Sequence, residues 1–419
     1  FVPVNKHGGH GKRGVEKIEA TYAAENGVII FPAGLVCRKQ EDSIKDLEWK
    51  KSFINKAKKY KKDVVPIYIE GRNSSFFYNL ANLRKKLGVK ANVEMFYLAD
   101  EMFGQKNKKI VVPSVGWVTT IAPAIQFGLE PIMVGADPDT FGIDLDQLED
   151  VCERERPDAV IFVQVLGVPH YKERLLKLKE KYGFCLLEDA CAALGAAYGD
   201  GSMVGTVGDM SSFSFYFGHQ LSTIEGGMVN TDDKELYDAL LMLRSHGWAK
   251  DLDQEAYDTL IRDYGVDDFH KPFTFFVPGF NLRSTDLQAF VGLRQVDKAI
   301  WVSERRNENH VAYAQFLEGY VDYQKWGDNV PVSISFGALA DSNAHRREIV
   351  SRLVEHGVET RIFSAGNLGL HPFWTDLYPA FEDEISNRIH TCGFFLPNYP
   401  ELTIEDVAKI CKIVRGTHE

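Results

Sequence analysis

Two side chains in this sequence stand where acid-base or cofactor chemistry could be done. An apolar run, LLED, ends in Glu188-Asp189, and in open α/β sheets ligands gather at the carboxyl ends of parallel strands. A carboxylate there is able to pair with the protonated ring nitrogen of a pyridine cofactor and keep the ring electron-withdrawing. Acidic residues end many strands, so this signal is weak by itself. Thirty residues on, in SFSFYFGHQLSTIEGGMVNTDD, stands His219, an imidazole that moves protons near neutral pH. His246 and Asp251 spell H-x-x-x-x-D but lie inside one continuous RSHGWAKD segment, where packing is the expected role. The six cysteines (Cys37, Cys152, Cys185, Cys191, Cys392, Cys411) show no CxxC spacing, so neither a disulfide framework nor a metal or iron-sulfur site is expected. Cys185 and Cys191, flanking Asp189, read as core thiols.

The elements that would position these residues follow an α/β rhythm. From Ile110 the chain runs IVVPS, a helix over Val118–Phe127, EPIMVGA, a helix near Leu145–Glu153, DAVIFVQV, a helix over Lys172–Tyr182, and FCLLEDA. Apolar strands alternating with helices at this spacing predict a mostly parallel sheet. After Asp233 the pattern becomes helical. A last portion, with strand-like VPVSISF, a helix over Ala344–His356 and strand-like VETRIF, predicts a small C-terminal α/β domain. The first 109 residues alternate as well: GVIIFPAG, a Lys-rich helix near Asp46–Lys62, DVVPIYIEG, and a helix near Phe76–Leu87. The expected domains are therefore 1–109, 110–320 and 321–419.

Charge divides the chain at the same place. Residues 1–109 hold 22 Lys+Arg against 12 Asp+Glu, or +10, while the remainder holds 26 against 47, or −21. Two units with different partners are implied. The basic unit suits a membrane surface through residues 1–109, although solvated Lys-rich helix faces explain such stretches more often. No run is long and apolar enough for a spanning helix, and FVPVNKHGGHGKRG lacks a signal peptide's apolar stretch. The cytoplasm is the default expectation, with no nucleic-acid partner.

The segment around His219 resembles the DegT/DnrJ/EryC1/StrS family of nucleotide-sugar aminotransferases. Their pattern is a serine, four residues, the cofactor-binding lysine, then Glu-Gly-Gly and a Thr-Asp-Asp turn; Ser214, His219, Glu225-Gly226-Gly227 and Thr231-Asp232-Asp233 fall at those places. VVPSVGW, LLEDAC, LRSHGW and PGFNLRSTDLQAFVGLRQ extend the likeness over roughly residues 110–419. The resemblance implies a fold-type I PLP-dependent transferase-like sheet and a homodimer with composite sites. It assigns Trp117 to stacking on the cofactor ring, Asp189 to the pyridine nitrogen, Ser214 to cofactor binding, and Asn281 to the cofactor phosphate of the neighbouring subunit.

Histidine in place of lysine removes the covalent anchor of a transaminase. With SFYFGH and RSHGW beside it, His219 resembles the sugar 3-dehydratase subgroup. That resemblance implies pyridoxamine phosphate (PMP) as working cofactor, a nucleotide-linked 4-keto-6-deoxysugar as substrate and glutamate as amino donor. It also implies a C4′ proton taken by the histidine, departure of the C3 hydroxyl, and a place in cell-surface polysaccharide synthesis. CDP-sugar dehydratases carry cysteines for an iron-sulfur cluster, and no such set is found here, which favours the GDP-sugar type. The alternative for His219 is an inert substitution in a decayed aminotransferase. Arg361, in ETRIFSAGN, is either a sugar-phosphate contact or a surface arginine.

Residues 1–109 resemble the later part of a lysophospholipid or glycerolphosphate acyltransferase. FPAG stands where FPEG is usual, with Ala33 in the place of the acid, and the catalytic H-x4-D is absent from this stretch. A second implication concerns the turn that holds the cofactor phosphate at a helix N-terminus. Only Gly71-Arg72-Asn73-Ser74-Ser75 offers anything similar, inside the acyltransferase-like part, and it reads as a loop. The sequence thus reads as a junction near Lys109-Ile110 between two incomplete units, the second truncated at its N-terminus. The competing reading is a catalytically incomplete chimera whose basic part is a membrane-surface module.

Overall fold

The structure, a computed structural model, describes residues 108–417 together with two short strands, β1 (Arg38–Gln40) and β2 (Ser43–Lys45). The chain divides into two compact units, residues 1–101 and 102–419. In the first, β1 and β2 pair antiparallel. The helices expected near Asp46–Lys62 and Phe76–Leu87, the runs GVIIFPAG and DVVPIYIEG, and the Gly71–Ser75 loop lie outside the described residues.

The second unit is built on a six-stranded sheet in the order β4-β3-β5-β6-β7-β8. Its strands are β3 (Lys109–Pro113), β4 (Glu130–Val134), β5 (Ala159–Val163), β6 (Cys185–Asp189), β7 (Met210–Ser214) and β8 (Gly227–Asn230). All neighbours are parallel except β8, which runs antiparallel to β7. Helices α1 (Val118–Gln126), α2 (Leu145–Glu155) and α3 (Lys172–Tyr182) make the crossovers. Period-two alternation sends successive strand residues to opposite faces. Val111, Val160, Phe162 and Leu186 pack with Leu148 of α2 and Leu175 of α3, whereas Ile110, Val112, Ile161 and Val163 pack with Ile121 of α1, Phe363 and Leu368. The second of these cores joins the sheet to the C-terminal part of the chain.

Helices α4 (Lys234–Arg244), α5 (Gln254–Asp263), α6 (Asp286–Val296) and the long α7 (Ala299–Leu317) follow. Asp233, Asp253 and Thr285 cap the first three by accepting backbone N–H groups. A small antiparallel sheet then forms from β9 (Asp322–Tyr323), β10 (Ser335–Leu339) and β11 (Gly393–Pro397), in the order β11-β10-β9. It is covered by α8 (Asn343–Glu355) and α11 (Ile404–Arg415); the short α9 (Pro372–Thr375) and α10 (Glu384–Cys392) lie between.

Two expected strands are displaced here. Of VPVSISF only Ser335 and Phe336 enter β10, because the carbonyls before them are taken by side chains. Asn307 donates to Pro331 O, Gln220 to Val332 O, and Arg306 to Ser333 O and Ile334 O. Of VETRIF only a bridge between Arg361 and Phe395 forms.

Candidate active site

Three loops at the carboxyl ends of β3, β6 and β7 carry the residues singled out above. Trp117 occupies the N-cap position of α1 without capping it, and half of its surface is exposed. Asp189 closes β6, and both its oxygens are held: Thr120, in the first turn of α1, donates to Oδ2 at 2.6 Å, and the Cys191 N–H donates to Oδ1 at 3.1 Å. Thr120 therefore fixes the carboxylate, a role the linear sequence gave no sign of. Ser214 closes β7 and accepts the Tyr216 N–H at 3.2 Å, leaving its hydroxyl proton to give.

His219 lies in the loop between β7 and β8, its N–H bonded to Tyr216 O at 3.0 Å. The ring is partly buried, and its Nδ1 is enclosed with no hydrogen-bond partner among the described residues. Burial holds the imidazole below its ordinary value of 6.5; the Asp189 carboxylate acts against this, and the Arg306 guanidinium adds to it. A ring neutral at physiological pH, with one nitrogen unsatisfied, is suited to accept a proton. No lysine occurs between Lys181 and Lys234, the stretch that covers β6, β7 and β8.

Asn281 is placed apart from these four, in a segment bridged to Ser245, with its side chain exposed and making no hydrogen bond among the described residues. Arg361 is more than a surface residue: its guanidinium lies over the Trp117 ring at 5.4 Å and over the Phe395 ring at 5.0 Å. Arg306 is buried and forms no ion pair among the described residues. It donates to Ser333 O at 3.2 Å, Ile334 O at 3.1 Å and Asn398 O, and burial lowers its pKa to about 10.

The H-x-x-x-x-D pair is not assembled. The His246 ring packs edge-on against Trp248 at 5.1 Å, while Asp251 pairs with Arg244 at 2.9 Å. Burial pushes the Cys191 thiol up to about 12, and Cys185 is also raised by burial, so neither is a nucleophile at neutral pH.

A mostly parallel sheet with a carboxylate at the end of one central strand, an aromatic after another and an imidazole on the next loop is the architecture of the fold-type I PLP-dependent class. Residues 93–415 match the profile of the DegT/DnrJ/EryC1/StrS aminotransferase family, and the chain belongs to that family. Residues 1–117 match a second profile, Acyltransferase.

Among curated proteins, the chain is similar to the GDP-4-keto-6-deoxy-D-mannose 3-dehydratase of Yersinia pseudotuberculosis. The two are 31% identical over 313 residues, which is 74% of this chain and 77% of that protein. Its first part is similar to the lyso-glycine lipid O-acyltransferase of Phocaeicola vulgatus, 51% identical over 107 residues, 26% of this chain and 38% of that protein. Among solved structures, that of E. coli GDP-4-keto-6-deoxy-D-mannose-3-dehydratase with bound hydrated PLP shares the fold at a TM-score of 0.67 and 24% identity, covering 81% of this chain and 92% of that one.

The residues at the edge fit such a cofactor. The Asp189 carboxylate is anchored by two donors yet retains lone pairs, the Trp117 ring is accessible, and the enclosed Nδ1 of His219 is unsatisfied.

Proposed function

We infer that this chain is a PMP-dependent nucleotide-sugar 3-dehydratase acting on a GDP-linked 4-keto-6-deoxysugar, with glutamate restoring the amine of the cofactor. The observation that carries the reading is His219: a partly buried, neutral imidazole stands at the family's lysine position, in a stretch of sheet and loop without any lysine. The similarity to the Yersinia pseudotuberculosis dehydratase supports the same substrate class.

Bound PMP supplies the amine that joins the C4 ketone and a ring that takes up an electron pair. The protein's part follows from the residues in place. Trp117 offers a ring face for stacking. Asp189, kept in position by Thr120 and the Cys191 N–H, pairs with the pyridine nitrogen. Ser214 has a hydroxyl proton to donate to the cofactor. His219 takes a proton from the C4′ carbon and delivers one to the departing C3 hydroxyl. An amine-bearing lysine would return that proton to the sugar carbon; histidine has no amine to compete for the cofactor, and elimination is the outcome.

A homodimer completes the site in this reading, with Asn281 serving the phosphate of the neighbouring cofactor. Support comes from α6, where Leu287, Phe290, Leu293 and Val296 are each 59% exposed or more at helical spacing. For residues 1–109, the +10 charge and the acyltransferase likeness favour contact with an anionic lipid surface. Among the described residues no helix is long and apolar enough to cross a membrane.

The test is direct: the full chain is incubated with PMP, GDP-4-keto-6-deoxymannose and glutamate, and the products are read by mass spectrometry. A 3-deoxy-4-keto sugar is expected. A 4-amino sugar, or unchanged substrate with cofactor bound, would overturn the reading.

A further inference from the structure

Gln220 follows His219 directly, but where the histidine is only partly buried, Gln220 turns inward and keeps 6% of its surface. Its amide nitrogen donates to Ala192 O at 2.5 Å and to Val332 O at 2.7 Å. These carbonyls belong to separate segments. Ala192 lies on the turn that follows Asp189, and Val332 on the extended stretch that leads into β10. They approach each other closely, because Gly167, at φ +92°, faces both; a Cβ there would stand 2.3 Å from Ala192 O and 2.5 Å from Val332 O. Nothing larger than glycine fits on that side, and the Gln220 amide bridges the two carbonyls.

Little else ties the histidine to the Asp189 turn. Its own N–H is bonded within the turn to Tyr216 O, the next bonds, Thr223 N–H to Phe215 O and Phe215 N–H to Gly226 O, stay within the hairpin, and the Gln288 amide of α6 donates to Glu225 O at 2.6 Å, away from the Asp189 turn. The neighbours Phe217 and Ile224 are exposed. A working histidine commonly has one ring nitrogen oriented by an acceptor on the other, yet the Nδ1 of His219 has no such partner. The ring's one aromatic contact among the described residues, edge-on to Tyr216 at 6.1 Å, lies within the same turn, so its placement against the Asp189 turn comes through the backbone, and Gln220 is the point at which that backbone is fastened.

We propose that Gln220 is a positioning residue: by bridging the Ala192 and Val332 carbonyls it sets the His219 imidazole against the Asp189 turn, so that proton transfer depends on it while cofactor and sugar binding do not. The proposal rests on the reading of His219 as the base.

Gln220→Met keeps length and volume but removes both donors. Misplacing a reacting group by about 1 Å costs up to about 10²-fold, so kcat for dehydration falls by about 10- to 100-fold while KM for the sugar and the dissociation constant of PMP change by less than about twofold. Gln220→His, with one ring N–H able to reach one of the two carbonyls, recovers part of the rate.

A measurement without substrate accompanies the kinetics. In protein carrying 13C-labelled histidine, the resonance absent from His219→Asn belongs to His219; its shift and titration midpoint should differ between the parent and the Gln220 variants. An unchanged resonance, an unchanged kcat, or kcat, KM and cofactor affinity worsening in parallel with the thermal midpoint would overturn the proposal. If Gln220→Met does not fold, Gln220→His decides by the same criteria. If the parent binds PMP yet forms no 3-deoxy sugar, the dehydratase reading fails; in that case, and equally where PMP does not bind, the His219 resonance alone decides whether Gln220 positions the ring.

Discussion

Replacing His219 by asparagine is the substitution that bears hardest on the proposed chemistry. The side chain keeps nearly the same reach but loses the nitrogen that accepts a proton. Burial, aided by Arg306 and opposed by Asp189, keeps the parent imidazole below 6.5. At pH 7.5 at least about 90% of it is therefore neutral and ready to act as a base. Positioned acid-base catalysis contributes about 10²–10⁴ in rate, equal to about 3–5 kcal/mol of barrier. His219→Asn should lower single-turnover dehydration by that factor at pH 7.5 and leave PMP binding nearly intact. The pH profile gives a second reading: parent kcat should be flat above neutrality and fall along an acid limb centred below pH 6.5, and the asparagine variant should lack that limb. His219→Lys should create a borohydride-reducible attachment to the cofactor and turn the enzyme toward transamination, whereas the parent should give no pyridoxyl-lysine peptide. An asparagine variant that dehydrates at the parent rate, or a parent acid limb well above pH 6.5, would refute the assignment.

Two further outcomes follow from burial. The exposed stripe on α6 should be covered in a homodimer, so light scattering should give twice the chain mass for the cofactor-bound form, and Phe290→Glu should shift it toward the monomer; a monomer that binds PMP stoichiometrically would contradict the composite site. His170 and His310 are buried neutral rings whose pKa values burial pushes down to about 4 and about 3. The unfolded chain, titrating near 6.5, takes up these protons first as the pH falls. Their stability contribution is therefore complete above pH 6.5 and drains below it, each ring costing on the order of 2–3 kcal/mol by pH 4.5. Denaturant midpoints at pH 7.5 and 4.5 should differ less in His310→Gln than in the parent, and equal differences would exclude His310 from the effect.

The alternation of strands and helices could be read from the sequence because β3 to β6 are apolar on both faces and each is followed by a helix or turn with its own signals. The helix over Lys172–Tyr182 forms with the expected ends, closed by Gly183 in the left-handed region at φ 73°. Val330–Phe336 has equal strand propensity, yet most of it stays outside the small sheet. That difference depends on where Asn307, Arg306 and Gln220 point, and propensity carries no such information. The site divides in the same manner. Asp189 and His219 stand out by residue type and place in the chain. Thr120 reaches Asp189 across 69 positions, and Gln220 reaches Val332 across 112; such pairs become visible only when the sheet has brought them together.

Trp117 begins α1 with no cap of its own. The grip comes from the C-terminal part of the chain. Leu368 N–H donates to Ser114 O at 2.8 Å, the Ser114 and Ser386 hydroxyls meet at 2.7 Å, and Ser364 Oγ donates to Gly116 O at 2.6 Å. Ser364 is buried and sits in the left-handed region at φ 47°, a conformation that costs a non-glycine residue about 1 kcal/mol or more. The hydrogen bond to Gly116 offsets that strain. Ser364→Ala keeps the strain and leaves the Gly116 carbonyl unpaired, a loss of about 1–3 kcal/mol. Ser364→Gly loses the same bond but relieves the strain, so it should unfold at a denaturant concentration between those of the parent and the alanine variant, less any chain entropy that glycine adds. Both variants should weaken PMP binding by loosening the Trp117 ring, as titration of the cofactor band would show. A glycine variant less stable than the alanine variant would mean that the backbone at Ser364 is not strained, and unchanged PMP affinity in both would mean that Trp117 is held by something other than this grip.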